Sequence, residues 1–215
     1  ETRNGRCTME MLERGDWIVP YYNGQVRPVK PVGMYWFMMS AVAIFGNTEF
    51  AFRFWSAVAG TGTALAVYHI GRRLFNREVG LFSAIILATS LMFTVLSRAA
   101  KADALLIFFD TAALLVFVYA TFRPREETED ERTAPQLKDA GHYYPQSQWA
   151  VAALYALLGA AVLSKGPIGV VLPTAVIGMF LLIMRLPQQQ EKSPPPWSEP
   201  ALRAEDGSLT LSVVW

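Results

Sequence analysis

The sequence predicts an all-α fold, a polytopic membrane helix bundle. Of the 215 residues, 53% are hydrophobic and 17% are charged, and the mean hydropathy is +0.26. The apolar residues gather into five runs of about 16–20 residues, close to the length that the hydrocarbon core of a bilayer requires. The alternative is a large soluble protein with buried core helices. Five such runs leave too little polar surface for that alternative, so the membrane class is favoured.

Residues 1–51 predict an outer-face loop with juxtamembrane helices. Helical spacing covers Met9 to Leu12, Gly15-Asp16 ends that helix, and Asn23-Gly24 indicates a turn. Residues 31–45 are apolar but too short to span comfortably, so they predict an interfacial or re-entrant helix. The segment also carries aromatic residues suited to the headgroup zone, namely Trp17, Tyr21, Tyr22, Tyr35 and Trp36.

Residues 52–185 predict a transmembrane helix bundle of about five spans, each near the length a bilayer core needs. The predicted spans are 52–70, 79–97, 104–122, 149–164 and 168–184. Residues 186–215 are rich in proline at first and then apolar, which indicates a linker and a truncated continuation. The absence of a start Met and the polar opening at Glu1 indicate a chain clipped at its N-terminus.

The basic loop after the first predicted span sets the orientation. Under the positive-inside rule, Arg72, Arg73 and Arg77 mark this loop as cytoplasmic. By alternation, the turns at 97–103 and 164–167 then lie with residues 1–51 on the outer side of the membrane.

Charged residues gather on these outer segments, where a function is the default expectation. The set comprises Glu1, Arg3, Lys30, Arg98, Lys101, Asp103 and Lys165. Cations outnumber acids, which favours binding an anion such as a phosphate, while the acids could deprotonate a hydroxyl. A sugar linked to a lipid phosphate fits both features. The alternative is ordinary snorkelling and ion pairing at helix ends.

Other classes of function find little support. The net charge of +1 gives no argument for nucleic acid, and His69 and His142 are far apart, without the spacing of zinc ligands. Gly60-Thr61-Gly62 lies in an apolar helical pattern and makes no phosphate loop. Asp110 lies seven residues after Asp103, on the same face of one helix. It either extends the polar site or is a neutral buried carboxyl.

Five short sequence motifs together resemble those of the membrane glycosyltransferases of the GT-C type, in the group of protein O-mannosyltransferases and lipid A aminoarabinose transferases. The motifs are ETR at 1–3, ERGDWIVP at 13–20, KP at 30–31 with YW at 35–36, SRAAKAD at 97–103 and LSKGPIG at 163–169. Their order and spacing fit this family from Glu1 to about Arg185, closest to the bacterial aminoarabinose-transferase-like branch. The resemblance implies a GT-C-like bundle and an N-terminal-half fragment, which we expect to be inactive alone.

The resemblance also implies roles for six residues. Glu1 matches the second acid of an Asp–Glu pair whose Asp would precede it, and Arg3 matches a cation that organises this acidic site. Asp103 matches a second outer-loop carboxylate, so the implied catalytic set is Glu1, Arg3 and Asp103. The implied ligands of the donor phosphate are Lys30, Arg98 and Lys165. No cofactor is certain. A divalent metal stays open as an alternative but is doubtful, because Val29 stands where family members often carry Glu.

The function implied is transfer of a sugar from a polyprenyl-phosphate donor to a lipid A or protein acceptor. The site would face the periplasm or cell exterior from a bacterial inner membrane. The rival interpretations are a transporter or flippase of an anionic lipid, and a non-catalytic membrane scaffold. An enzyme requires the segments 1–30 and 97–103 to converge in space, whereas a transporter requires charges that continue toward the cytoplasmic side.

Overall fold

The computed structural model describes residues 2–123, 143–145 and 147–185, and nearly all of these lie in helices. In chain order the elements are α1 (Thr2–Arg14), β1 (Tyr21–Tyr22), β2 (Gln25–Val26), α2 (Gly33–Phe45), α3 (Glu49–Leu74), α4 (Arg77–Thr89), α5 (Leu91–Arg98), α6 (Ala102–Thr121), α7 (Gln148–Lys165) and α8 (Ile168–Arg185). The predicted all-α membrane bundle is confirmed, with one small antiparallel hairpin, β1–β2, added to it. Glu1 and residues 186–215 lie outside the described residues.

All five predicted spans are helical, but only some meet a strict criterion for crossing a membrane. Among the described helices, α6 and α7 are long and apolar enough by length and composition. The pair α4 and α5 passes as a third candidate if it is one span, although the two helices meet at a 66° bend. The helices α2 and α8 are apolar but shorter. Five crossings therefore remain a prediction, as does the division at residue 51.

The bundle is arranged around α6, which packs against α3 on one side and against α7 and α8 on another. One apolar cluster joins α6 to α7 and α8 and includes Phe117, Leu158 and Ile177. In contrast, α4, α5 and α8 expose large apolar side chains such as Ile86 and Leu91. Apolar outer surfaces of this kind suit contact with lipid.

The juxtamembrane layer is built from α1 and α2, which share a second core. Cys7 and Met11 of α1 pack on Met34, Met38 and Met39 of α2, and all five are nearly inaccessible to solvent. Ala100, from the connection between α5 and α6, and Ala102, the first residue of α6, complete this cluster. The layer is therefore packed directly onto the chain segment that leads to Asp103.

The first helix is longer than the short helical pattern at Met9 to Leu12 predicts. It begins at Thr2 and ends at Arg14, where Gly15 takes the left-handed conformation with φ of 66°. Glycine adopts this conformation without a Cβ clash, so it commonly follows the last turn of a helix. The predicted turn at Asn23-Gly24 forms the tip of the hairpin, with both residues at positive φ.

Candidate active site

The β1–β2 hairpin is fixed to α1 and returns the chain toward α2. The Glu10 carboxylate accepts hydrogen bonds from the backbone N–H groups of Asn23 at 2.8 Å and Gly24 at 3.1 Å. The bond from Gly24 is the largest cause that lowers the pKa of Glu10. Burial, the next largest effect, raises this pKa, but the bonds from Asn23 and Arg6 lower it further, so that it lies below its usual value. The chain then reaches Lys30 just before α2 begins.

A close approach between α2 and α7 brings the Lys30 segment next to the end of α7. A Cβ atom added at Gly33 would lie 2.5 Å from the backbone oxygen of Leu163, closer than real Cβ atoms come. Only glycine allows the helices to pack this closely. Lys165 ends α7, and Gly166 follows it with φ of 88°. Lys30 and Lys165 therefore lie at the same end of the bundle.

Asp103 and Lys165 form an ion pair between the first turn of α6 and the last turn of α7. The Asp103 side chain is 26% exposed and that of Lys165 is 45% exposed, so solvent screens the pair in part. Asp103 also lies where the partial positive charge of a helix N-terminus favours an anion. The pair thus links two of the residues named from the sequence, and it stays open to solvent.

Lys30 lies in the electrostatic field of the same group. Burial is the largest effect on its pKa and lowers it, while Asp103 raises it and Arg27, Lys101 and Lys165 lower it further. Among the described residues that act on Lys30, three are cations and one is a carboxylate. We call Lys30, Lys101, Asp103 and Lys165 the outer cluster. Its net positive charge suits an anionic ligand.

Asn4, which the sequence analysis missed, bridges Lys30 to the segment before Asp103. Its side chain is 8% exposed. Its Nδ2 donates to the backbone oxygen of Ala100 at 3.1 Å, and its Oδ1 accepts from Lys30 Nζ at 3.3 Å. An asparagine in the first turn of a helix carries no sequence signal for such a role. The bridge shows that segments 1–30 and 97–103 converge in space.

For the other predicted site residues, no bond to the outer cluster is seen within the described part of the chain. Arg3 and Arg98 are exposed, and neither side chain makes a hydrogen bond or ion pair with another described residue. Arg98 lines a groove between α3 and α5 that also contains Gly60 and Ser97. Glu1 lies outside the described residues. The predicted roles of these three residues therefore stay predictions.

Two further polar features concern the site only indirectly. Asp110 is buried in α6, and its Oδ1 has no hydrogen-bond partner in the described part of the chain. No group of three or more His, Cys, Asp or Glu residues within the described ranges could hold a metal ion. The outer cluster itself offers ammonium groups next to a carboxylate.

Comparison with known proteins identifies the family. Residues 29–128 match the family model described as dolichyl-phosphate-mannose-protein mannosyltransferase. Over 124 residues the chain is 36% identical to the undecaprenyl phosphate-alpha-4-amino-4-deoxy-L-arabinose arabinosyl transferase of Yersinia enterocolitica, covering 57% of this chain and 22% of that protein. This chain belongs to the GT-C type of membrane glycosyltransferases. The resemblance drawn from the five short sequence motifs is thereby confirmed.

Other relatives of this GT-C chain extend the similarity over most of its length. A protein of Aquifex aeolicus with no described function is 34% identical over 185 residues, covering 86% of this chain and 37% of that protein. The crystal structure of ArnT from Cupriavidus metallidurans bound to undecaprenyl phosphate superimposes with a TM-score of 0.69 at 22% identity. It covers 85% of this chain and 31% of ArnT, and it shows a shared fold. The chain thus spans about a third or less of the length of these relatives.

Proposed function

We propose that this chain supplies the donor-phosphate site of a glycosyltransferase that uses a polyprenyl-phosphate-linked sugar. The observation that carries the proposal is the outer cluster at one end of the apolar helices. In this cluster Asp103 pairs with Lys165, and both residues, together with Lys101, act electrostatically on Lys30. A lipid whose tail lies in the membrane beside these apolar helices has its phosphate at the end of the helices, where the cluster lies. Lysine is a suitable point charge for a phosphate oxygen.

The family and its neighbours support this choice of donor. The matching family model and the Yersinia relative both carry a polyprenyl-type phosphate in their names, and the Cupriavidus ArnT structure contains undecaprenyl phosphate. We extend this ligand class to the present chain because its cations lie together. The acceptor we propose is lipid A or a protein, and the site we propose faces the periplasm or cell exterior from the inner membrane.

The proposed reaction is a direct displacement at the anomeric carbon. An acceptor oxygen forms a bond to this carbon, the bond from the carbon to the phosphate oxygen breaks, and its electron pair leaves with the polyprenyl phosphate. A carboxylate takes the acceptor proton. We assign this general-base function to the carboxylates of Glu1 and Asp103, with Arg3 organising them. Lys30 and Lys165, with Arg98 at the rim, stabilise the charge that develops on the departing phosphate.

The donor already contains an activated sugar, so the proposed reaction requires no nucleotide. Because the chain spans about a third or less of its relatives, we also propose that these 215 residues do not complete the reaction by themselves. The experiments below therefore use the intact protein in membranes or detergent.

The charge distribution favours an enzyme over a transporter. In α2–α8 the charged residues lie near helix ends, with Asp110 the exception among the described residues. A path for an anionic lipid would need charges along the way across the membrane. The described helices supply one acid there and no cation.

The test is transfer of labelled sugar from a polyprenyl-phosphate donor by the intact protein and by single variants. We expect Asp103→Asn to lower kcat by about 10²-fold or more, and Lys30→Ala to raise KM as well, since each removes a charge from the site. Arg77→Ala is the matched control, because Arg77 is an exposed cation at the start of α4, away from the outer cluster. Transfer at parental rates by both site variants would refute the assignment.

A further inference from the structure

Asn4 uses both ends of its amide between two groups that have opposite requirements. The Ala100 carbonyl only accepts hydrogen bonds, and the Lys30 ammonium only donates them. The Asn4 amide donates to the first at 3.1 Å and accepts from the second at 3.3 Å. These partners fix which end of the amide carries oxygen. An aspartate lacks the donor, and an alanine lacks both groups.

The bridge connects three parts of the chain that are distant in sequence. Asn4 lies in α1, Lys30 lies between the hairpin and α2, and Ala100 lies in the connection before Asp103. The backbone oxygen of Asn4 also accepts a hydrogen bond from the Thr8 hydroxyl at 2.9 Å, which keeps the first turn of α1 in place. Burial of the Asn4 side chain limits the alternatives open to the amide.

The charges around Lys30 favour a neutral hydrogen-bond acceptor for its ammonium group. Its charged neighbours are Arg27 before it, Lys101 and Asp103 at the start of α6, and Lys165 at the end of α7, and the carboxylate of Asp103 is engaged with Lys165. An ammonium has three N–H donors. One of these bonds to Asn4, and no second hydrogen bond of the Lys30 ammonium to a described residue is seen, so two donors can serve a phosphate.

We propose that Asn4 is a positioning residue that holds the Lys30 ammonium toward the donor phosphate and against the segment that leads to Asp103. The phosphate part of this proposal rests on the proposed function. A neutral amide orients Lys30 without competing with the phosphate for its charge, whereas a carboxylate at position 4 would compete.

The first test measures Lys30 without any donor. In the intact protein, the acylation rate of Lys30 by an amine-selective reagent is followed against pH by mass spectrometry. Burial lowers the pKa of Lys30, so its titration lies below that of exposed lysines. We expect Asn4→Asp to move the titration to higher pH, since a carboxylate favours the charged ammonium. We expect Asn4→Ala to move it to lower pH, because the charged form loses its acceptor.

The second test is a double-mutant cycle for binding of undecaprenyl phosphate. We expect Asn4→Ala to weaken binding about tenfold in the parent and to have little effect in the Lys30→Ala background. Asn47→Ala is the control, because Asn47 is an exposed asparagine outside the cluster. The shape-conserving Asn4→Asp variant covers the case in which Asn4→Ala does not fold, which is checked by gel filtration in detergent.

The outcomes separate the two proposals. An equal loss of binding in both backgrounds, or a Lys30 titration that neither variant moves, would show that Asn4 is merely structural and would overturn the inference. A different outcome is a titration that shifts as expected although the parent does not bind undecaprenyl phosphate. That outcome would overturn the donor-phosphate function together with the phosphate part of the inference. The conclusion that Asn4 positions Lys30 would stand.

Discussion

Replacing Gly33 by alanine tests how α2 is held against α7. The added methyl group would lie 2.5 Å from the Leu163 backbone oxygen and 2.8 Å from the Leu163 carbonyl carbon. Both atoms belong to the backbone of a helix and cannot rotate away. The beginning of α2 therefore has to move by about 1 Å to restore ordinary contact. Lys30, three residues earlier, would move with it.

The size of the effect follows from two opposing contributions. Forcing an extra methyl into a packed interface costs about 1–3 kcal/mol. Alanine is favoured over glycine inside a helix by about 0.5–1 kcal/mol, and by less at a first helical position such as Gly33. We therefore expect Gly33→Ala to lower the free energy of unfolding by about 1–2 kcal/mol. For a chain of this size each kcal/mol corresponds to about 2–4 °C in Tm.

The assay is thermal unfolding in detergent, followed by tryptophan fluorescence, with Gly159→Ala as the matched control. Gly159 lies in α7, and nothing lies within 4 Å of the position its Cβ would take. Its replacement should leave Tm unchanged or raise it slightly. Sugar transfer should fall by up to about 10²-fold in Gly33→Ala, since a displacement of about 1 Å misaligns Lys30, and should be retained in Gly159→Ala. Equal Tm values for the two variants would contradict the close approach of α2 and α7.

Three further predictions concern residues around the site and the first long helix. Glu10→Gln should expose the hairpin to chymotrypsin at Tyr22 at neutral pH. In the parent, the contribution of the carboxylate to stability is fully present above the usual pKa of Glu10 and is lost as pH falls through the lowered pKa of the folded state, so the hairpin should loosen only in acid. Unchanged cleavage in Glu10→Gln would contradict this role. Lys165→Ala should cost less than about 1 kcal/mol of stability, because the ion pair of Lys165 with Asp103 is partly exposed. The same variant should reduce sugar transfer strongly. A large loss of Tm with normal sugar transfer would contradict this interpretation. Thr48→Ala should cost about 1 kcal/mol, since its side chain caps α3 by accepting from Ala51, and denaturation midpoints in detergent measure it against Thr48→Ser.

The sequence predicts the helices well because apolar length and helix-ending residues are local signals. The segment from 104 to 122 is continuous and, apart from Asp110, largely apolar, and it forms α6 almost as predicted. The bend between α4 and α5 was not predicted, because neither glycine nor proline marks it. There, the Thr89 hydroxyl donates to the Ile85 oxygen and the Thr94 hydroxyl donates to the Ala88 oxygen. Such bonds satisfy carbonyl groups where the helix is interrupted, and hydroxyl residues are too common to reveal this in advance.

The site is predictable only in part, because the sequence indicates at which end of the bundle a charge lies but not which way its side chain points. Topology alone places Asp103 and Lys165 at one end, and the structure pairs them. Arg98 ends α5, close in sequence to Asp103, but it lines another groove. The direction of the last turn of α5 depends on the bend between α4 and α5. Asn4 could not be found from its residue type, because an uncharged amide acquires its role only from its two partners.

The contacts that assemble the outer cluster are also the contacts that join the juxtamembrane layer to the bundle. Asn4 bonds to Ala100 across 96 residues of sequence, and Lys165 pairs with Asp103 across 62. Contacts between residues so distant in sequence form only once the helices have packed, so the position of each charge depends on the fold of the whole bundle. A loss of transfer in any single variant can therefore reflect a displaced layer as well as a missing charge. Binding cycles and the donor-free titration of Lys30 separate these causes, because a displaced layer weakens binding in every background, whereas a missing charge acts only through its own partner.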